Sequence, residues 1–428
     1  MSGSNKHMLV PQLRFPEFRN AEEWTTYNLG QLSKIVTERV GNDDCIPYTI
    51  TSGVGLISQQ EKLGRTIAGN SLKNYILLQH NDFAYNKSAT KAYPQGYIAC
   101  YQGHERAAVP NSIFTCFRPT TNLVIPAFLD NLFIANLHGK WLKNRVAVGA
   151  RANGALQVNN DDLMKVPVPL PIGSQSLSEQ KKIADCLSSL DDLLTAEVQK
   201  LDALKKYKKG LLQQLFPREG ETVPRLRFRE FQNATEWERK TLEQLGELVS
   251  GLTYSPNDVR ENGLLVLRSS NVQDGRIVLG DNVYVRIDID GAKPSLPNDI
   301  LICVRNGSKS LIGKNALIPE GMPPCTHGAF MTIFRSNSAK FMIQLFQTTA
   351  YENQVAADLG ATINSINGNQ LKKYTFLIPK QAEQKAVADF LTSLDELTAA
   401  QAQRIEVLKT HKRGLVQQLF PVLNEVPA

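Results

Sequence analysis

Hydrophobic positions along this chain switch between two periods, and the switching runs through in the same order twice. Short apolar runs bounded by polar or glycine breaks come first. Cys45–Ile50, Tyr75–Leu78, Asp82–Tyr85, Tyr97–Tyr101 and Ser112–Phe117 have the length and β-branched or aromatic content of strands. The period then becomes helical over Ala127–Ile134, and alternating prolines make Val166–Pro171 extended. The second pass repeats this. Leu264–Leu267, Asp299–Val304 and Ala329–Phe334 read as strands, Phe341–Phe346 as helix, and Phe376–Pro379 closes the set. Each body is therefore predicted to be α+β. Upstream, Leu29, Leu32, Ile35 and Val36 have helical spacing.

After each body the apolar residues recur at steps of three and four. The first such stretch has Ile183, Leu187, Leu190, Leu194, Val198, Leu201, Leu204, Leu211 and Leu215; the second has Val387, Leu391, Leu394, Leu397, Ile405, Leu408, Leu415 and Leu419. This is a long, imperfect coiled-coil seam. A helix of ~36 residues is a rod of roughly 55 Å. One apolar stripe needs a partner, and the other copy of the rod supplies it. Ser176 with Glu179 three residues later predicts a capping box at the first rod's start.

The rods are also nearly the same text. From Glu179 to Pro217 and from Glu383 to Pro421, 22 of 39 residues are identical. Both begin Glu-Gln-Lys, and both end Gln-Gln-Leu-Phe-Pro. A leader repeats as well. Pro11, Leu13, Arg14, Phe15, Glu17, Phe18 and Trp24 return as Pro224, Leu226, Arg227, Phe228, Glu230, Phe231 and Trp237. Internal repetition of this kind decides the organisation before anything else does. The chain divides into a first body over 1–175 with its leader at 11–37, a first helix over 176–217, a second body over 218–380 with its leader at 224–250, and a second helix over 381–421. The bodies between the matches differ almost completely.

Charge and chemistry narrow the function. Lys and Arg number 48 against 41 acids, a net +7 and a pI near 8.9, which permits a polyanionic partner without requiring one. The six cysteines are scattered with no CxxC, as in a reduced protein without a zinc module. The first eight residues lack the apolar core of a signal peptide, and no apolar run approaches a membrane span, so no membrane partner and a cytoplasmic location are expected. No Asn-Pro-Pro-Tyr tetrad and no GxGxxG after a strand occurs. Gly307–Asn315 misses a P-loop by one residue of spacing and by Asn315 at the magnesium-binding position. Glu179-Gln180-Lys181 mimics half of a nuclease site, but it lies at a helix start without a second acid, so helix initiation is its expected role.

Two paired rods inside one chain, running antiparallel, would hold two dissimilar bodies as separate readers at a fixed spacing, a natural caliper for duplex DNA. The doubled leader, the doubled Glu-Gln-Lys after a proline-rich stop, and the doubled Leu-x-Gln-Gln-Leu-Phe-Pro resemble the specificity subunit of type I restriction-modification systems. That resemblance implies two target recognition domains, built of small twisted β-sheets with helices, and two helices paired as an antiparallel coiled coil in a pseudo-twofold repeat. It implies no catalytic activity and no cofactor of its own. Each domain would read half of a bipartite double-stranded DNA target, and the helices would set the unread spacer. Two modification subunits, using S-adenosylmethionine to methylate adenine, and two restriction subunits, using ATP and Mg, would be the protein partners.

Base reading needs donors and acceptors on loops that enter a groove. The candidates are Thr51, Ser52, Asn86, Lys87, Ser88, Lys91, Tyr93 and Arg151 in the first body, and Arg268, Ser269, Ser270, Asn271, Arg305, Asn306 and Lys309 in the second. The lysines from Lys205 to Lys209 face phosphates, modification subunits or water. A coiled-coil scaffold whose bodies bind something other than DNA, and a stand-alone nuclease or methyltransferase, are the competing readings.

Overall fold

The helix that the first leader's spacing predicts starts at its Asn28 cap and ends after one turn, at extended Ser33. In the computed structural model, which describes residues 9–51, 53–145, 147–148, 156–361 and 364–423, Thr25–Asn28 is a strand, Leu29–Leu32 a single helical turn, and Ser33–Val36 a strand again. The Gln31 side chain returns to the Asn28 N–H at 2.8 Å, closing the turn, and Ser33 is extended at φ −153°. β-Branched Ile35 and Val36 then favour the sheet over a second turn. Thr241 and Gln244 build the same turn over Leu242–Leu245 in the second leader.

The chain forms two units: Met1–Glu197 with Arg404–Ala428, and Val198–Gln403. In the first unit, one four-stranded sheet runs Ser33–Val36, Phe114–Pro119, Phe83–Asn86, Tyr97–Cys100, all antiparallel. A second runs Gly55–Ser58, Ile46–Thr51, Ala107–Val109, Ile76–Leu78, with the middle pair parallel. The second unit repeats the first sheet strand for strand, while in its second sheet the parallel pair lies at the edge instead of the middle. Glu247–Ser250, Met331–Arg335, Ile300–Cys303 and Asn315–Leu317 make the antiparallel sheet. Val259–Arg260, Val283–Val285, Leu264–Leu267 and Cys325–His327 make the other, again with one parallel pair. The fold class is α+β.

The rods are continuous helices, Ser176–Leu215 and Gln381–Leu419. Within each unit the rod segments run antiparallel. In the first, Lys412 pairs with Asp191 and Arg404 with Glu197; in the second, Lys208 pairs with Asp395 at 2.6 Å. Lys412–Asp191 and Lys208–Asp395 occupy matching positions of the two repeats. Burial pushes the Lys208 ammonium below its ordinary pKa, against the raising effect of Asp395. The seam is buried where it meets a body and looser elsewhere. Ile183, Leu187, Leu211, Val387, Leu391 and Ile405 are buried; Leu190, Leu194, Leu201, Leu204, Leu394, Leu408 and Leu415 are half-buried. Val198 and Leu397 depart from the expected seam and are 41% and 48% exposed.

The repeated words of the sequence prove to be one clamp, made twice. Arg14 donates from Nε and Nη2 to the two oxygens of Glu179, each at 2.7 Å, and the Trp24 indole N–H donates to the same carboxylate at 3.2 Å. Arg227, Trp237 and Glu383 reproduce this at 2.7, 2.7 and 3.3 Å. Glu179 and Glu383 are almost fully buried. The expected capping box is therefore absent. Glu179 is occupied by the leader, while the Ser176 hydroxyl donates to Pro171 O at 2.6 Å. Glu-Gln-Lys lies at the start of the Ser176–Leu215 helix, and its Gln180 also accepts from the Ile125 N–H at 2.8 Å, tying the rod to the start of the Pro126–Ile134 helix.

The Phe-Pro ends complete the cores. Phe420 sits against Trp24 and Phe128, at ring distances of 6.5 and 5.2 Å. Phe216 sits against Trp237 and Phe341, at 5.9 and 5.5 Å. The leader also bonds to these ends through its backbone, Leu13 N–H to Gln418 O and Leu226 N–H to Gln214 O, both 2.9 Å. Each body is thus closed by the end of the rod that does not follow it in sequence.

Candidate nucleic-acid interface

The second unit brings its candidate residues together at the ends of two central strands. Leu264–Leu267 is buried up to Leu267, and the chain then turns through Ser269–Asn271. Asn271 makes that turn: its side-chain oxygen accepts from the Arg268 N–H at 2.9 Å and its amide donates to Val278 O at 3.0 Å. It is fully buried, which corrects its expected place among groove-reaching residues. Arg268 is half-buried and its guanidinium donates to Asp281 at 2.9 Å.

Ile300–Cys303 ends next to this turn. Asn306 donates to the Ser269 hydroxyl at 3.0 Å, tying the two candidate loops into one surface. Asn364, held at φ +50°, adds a third segment by donating to Gly307 O at 3.4 Å. Arg305 and Lys309 are exposed, and Lys309 donates to Leu359 O at 3.3 Å. The Arg268 Nε, the Ser270 hydroxyl and the Asn364 side-chain oxygen are shielded and have no partner within the protein. An unpaired shielded polar group costs roughly 1–3 kcal/mol.

In the first unit the matching strands end at Thr51 and Asn86. Thr51 Oγ1 is shielded without a partner, and Asn86 accepts from the Ser88 N–H at 3.0 Å. Lys87 and Ser88 are half-buried, and Lys91 is exposed. Tyr93 packs on Tyr97 with ring centroids 4.7 Å apart, so its ring is engaged in the body. Ser52 and Arg151 lie outside the described residues. The backbone is stitched alike in both units. Lys87 donates to Ile113 O and accepts from Leu156; Val304 donates to Phe330 O and accepts from Ile366. Matching positions thus carry Lys87-Ser88 in one body and Val304-Arg305 in the other.

Phe330 carries no signal in the sequence, because it lies inside the apolar run Ala329–Phe334, which reads whole as a strand. The strand begins at Met331, and Phe330 is 57% exposed with the Arg305 guanidinium 5.8 Å from its ring centre. Arg145 stands 3.5 Å over the Trp141 ring, a stacked pair that nothing in the spacing of these residues marks. Among the described residues no helix is long and apolar enough to cross a membrane. The lysines Lys205, Lys206 and Lys209 are exposed, with Tyr207 beside them at 58%. Lys208 instead turns inward to Asp395 and Gln347.

Comparison with known proteins places this geometry. The specificity subunit of the type I restriction enzyme StySPI from Salmonella potsdam is 27% identical over 194 residues, 42% of each protein. That of EcoKI from Escherichia coli (strain K12) is 28% identical over 183 residues, 40% of this chain and 39% of the relative. The chain thus spans about two fifths of the length of these two relatives. A putative specificity subunit, MjaX of Methanocaldococcus jannaschii, is 24% identical over 93% of both chains. The crystal structure of a type I system S subunit from M. genitalium shares the fold at TM-score 0.57 and 13% identity, over 97% of this chain and all of that one. The family model described as the type I restriction modification DNA specificity domain matches twice, at residues 21–206 and 234–410. With most of its length covered by two copies of that domain, the chain belongs to the type I restriction-modification DNA specificity family.

Proposed function

We propose that this protein is the non-catalytic DNA-reading subunit of a type I restriction-modification complex. Each body reads one half of a bipartite duplex target, and the rods set the length of the unread spacer. The observation that carries this reading is the contrast between the two units. They share the strand order of the antiparallel sheet, the clamp and the stitching, yet differ in the side chains at matching loop positions, where Val304, Arg305 and Asn306 stand in one and Lys87, Ser88 and Ala89 in the other. A scaffold that must hold two readers alike while letting them read differently has this distribution of sameness and difference. Arg suits guanine and Asn adenine, while Lys and Ser suit phosphates.

Methylation and cleavage then belong to partners. Two modification subunits with S-adenosylmethionine methylate adenine, and two restriction subunits with ATP and Mg translocate and cut. The exposed Lys205, Lys206 and Lys209 of the first rod offer such a partner positive charge.

The test is exchange of residues 38–165 for those of another family member. The half-target read by the first body changes and the other half is retained, as found by selecting bound duplexes from a random pool. Binding weakens steeply with salt as counterions are released. Salt-insensitive absence of DNA binding, with modification subunits present, overturns the reading.

A further inference from the structure

Of the phenylalanines, all of them described, Phe330 alone is exposed. A single exposed apolar side chain is ordinary on a protein surface. Three observations set this one apart. The first is rigidity. Its carbonyl accepts from both the Val304 and Arg305 N–H groups, at 3.0 and 3.1 Å, and Ala329 N–H donates to Leu252 O at 2.8 Å. Behind it, Gly251 and Gly328 pass so close that a Cβ on Gly251 would lie 2.1 Å from Gly328 O. The second is company: the ring stands beside the Arg305 guanidinium, in the loop surface that Asn306 ties to Ser269. The third is recurrence. The first body has Ile113 where the second has Phe330, since each carbonyl receives the N–H of the residue that follows the central strand. Ile113 is 37% exposed. Two bodies of unlike sequence therefore hold an apolar side chain out at one shared place.

Resting on the DNA reading proposed above, we infer that Phe330 and Ile113 are apolar teeth that press on thymine 5-methyl groups in the major groove, one in each half-target. The thymine methyl is the apolar feature of a major-groove base edge, so it suits a tooth standing among Arg, Asn and Ser side chains. Ring and guanidinium then read adjacent positions, the tooth taking a methyl and Arg305 a purine acceptor.

The experiment uses the full chain with its modification subunits. A target is selected from random duplexes, and exchange of residues 38–165 assigns its halves. Each thymine in the half read by the second body is then replaced singly by uracil, which lacks only the methyl. One replacement is expected to weaken wild-type binding about fourfold, the worth of one buried methyl group. Phe330→Ala binds the thymine and uracil duplexes equally while still selecting the other half, which shows that it is folded. Ile113→Ala does the same on the first half. A half-target without thymine, a wild type indifferent to every replacement, or a Phe330→Ala that keeps the uracil penalty overturns the inference and leaves the DNA reading standing. A wild type that selects no sequence sinks the DNA reading, and the inference falls with it.

Discussion

Asp130 shows how far burial can move the charge of one side chain. It projects from the Pro126–Ile134 helix, and burial pushes its carboxyl from the ordinary 3.8 up to about 6, against the lowering effects of the Cys100 N–H and the Lys412 ammonium. Because the folded pKa is raised, the native state holds a proton that the unfolded chain gives up between about pH 4 and 6. Stability from this group is full below pH 4 and is lost as pH rises through 6. Asp130→Asn keeps an acceptor for the Cys100 N–H and removes the charge. It is expected to stabilise the first unit by up to about 3 kcal/mol at pH 7, with the gain vanishing near pH 4. His138 works in the opposite sense: burial lowers its pKa to about 4, so protonation on acidification opposes folding below pH 6.5. Denaturant melts of variant against wild type across pH 4–8 isolate Asp130, because His138 is common to both.

The clamp is the element-scale counterpart. A buried pair held by two hydrogen bonds, with a third from the tryptophan, is costly to break on one side, by ~3–5 kcal/mol, and much cheaper to remove whole. Arg14→Leu is expected to destabilise the first unit by that amount and Arg14→Leu/Glu179→Leu by clearly less, read as thermal midpoints. Equal losses would mean the arginine acts by packing alone. The clamp also explains what the sequence disclosed. The strands and helices of the bodies and the rods were legible because period and proline report backbone preference directly; the leader was not, since its helical spacing spans a strand, a turn and a strand. The repeated Arg, Trp, Glu and Phe were visible as repeats, but their purpose was not: Arg14 and Glu179 are far apart in sequence, and only the fold brings them to 2.7 Å. Ser176 and Glu179 carried a local signature that a tertiary ion pair overrode. Among the candidate loops, Asn271 was chosen for its chemistry, yet that chemistry serves the turn. Phe330 was hidden because exposure at a strand's edge leaves no mark on hydropathy.

At the scale of the molecule, Phe420 closes the body that begins near Leu9, and Glu383 to Leu394 close the other. This sets an order of events during synthesis. Domains usually fold as they leave the ribosome, the earlier one first. Here the body made first must wait, with Trp24 and Phe128 lacking their cover, while the body made second is finished as soon as residues up to about 394 have emerged. Nascent chains stalled with residues up to 403 outside the exit tunnel should resist protease over 238–378 and be cut within 25–170; resistance of both bodies at that length would refute this. A protein whose opening segment matures last leaves its earliest-made half in need of shelter for most of its translation, which makes that half the natural client of a nascent-chain chaperone.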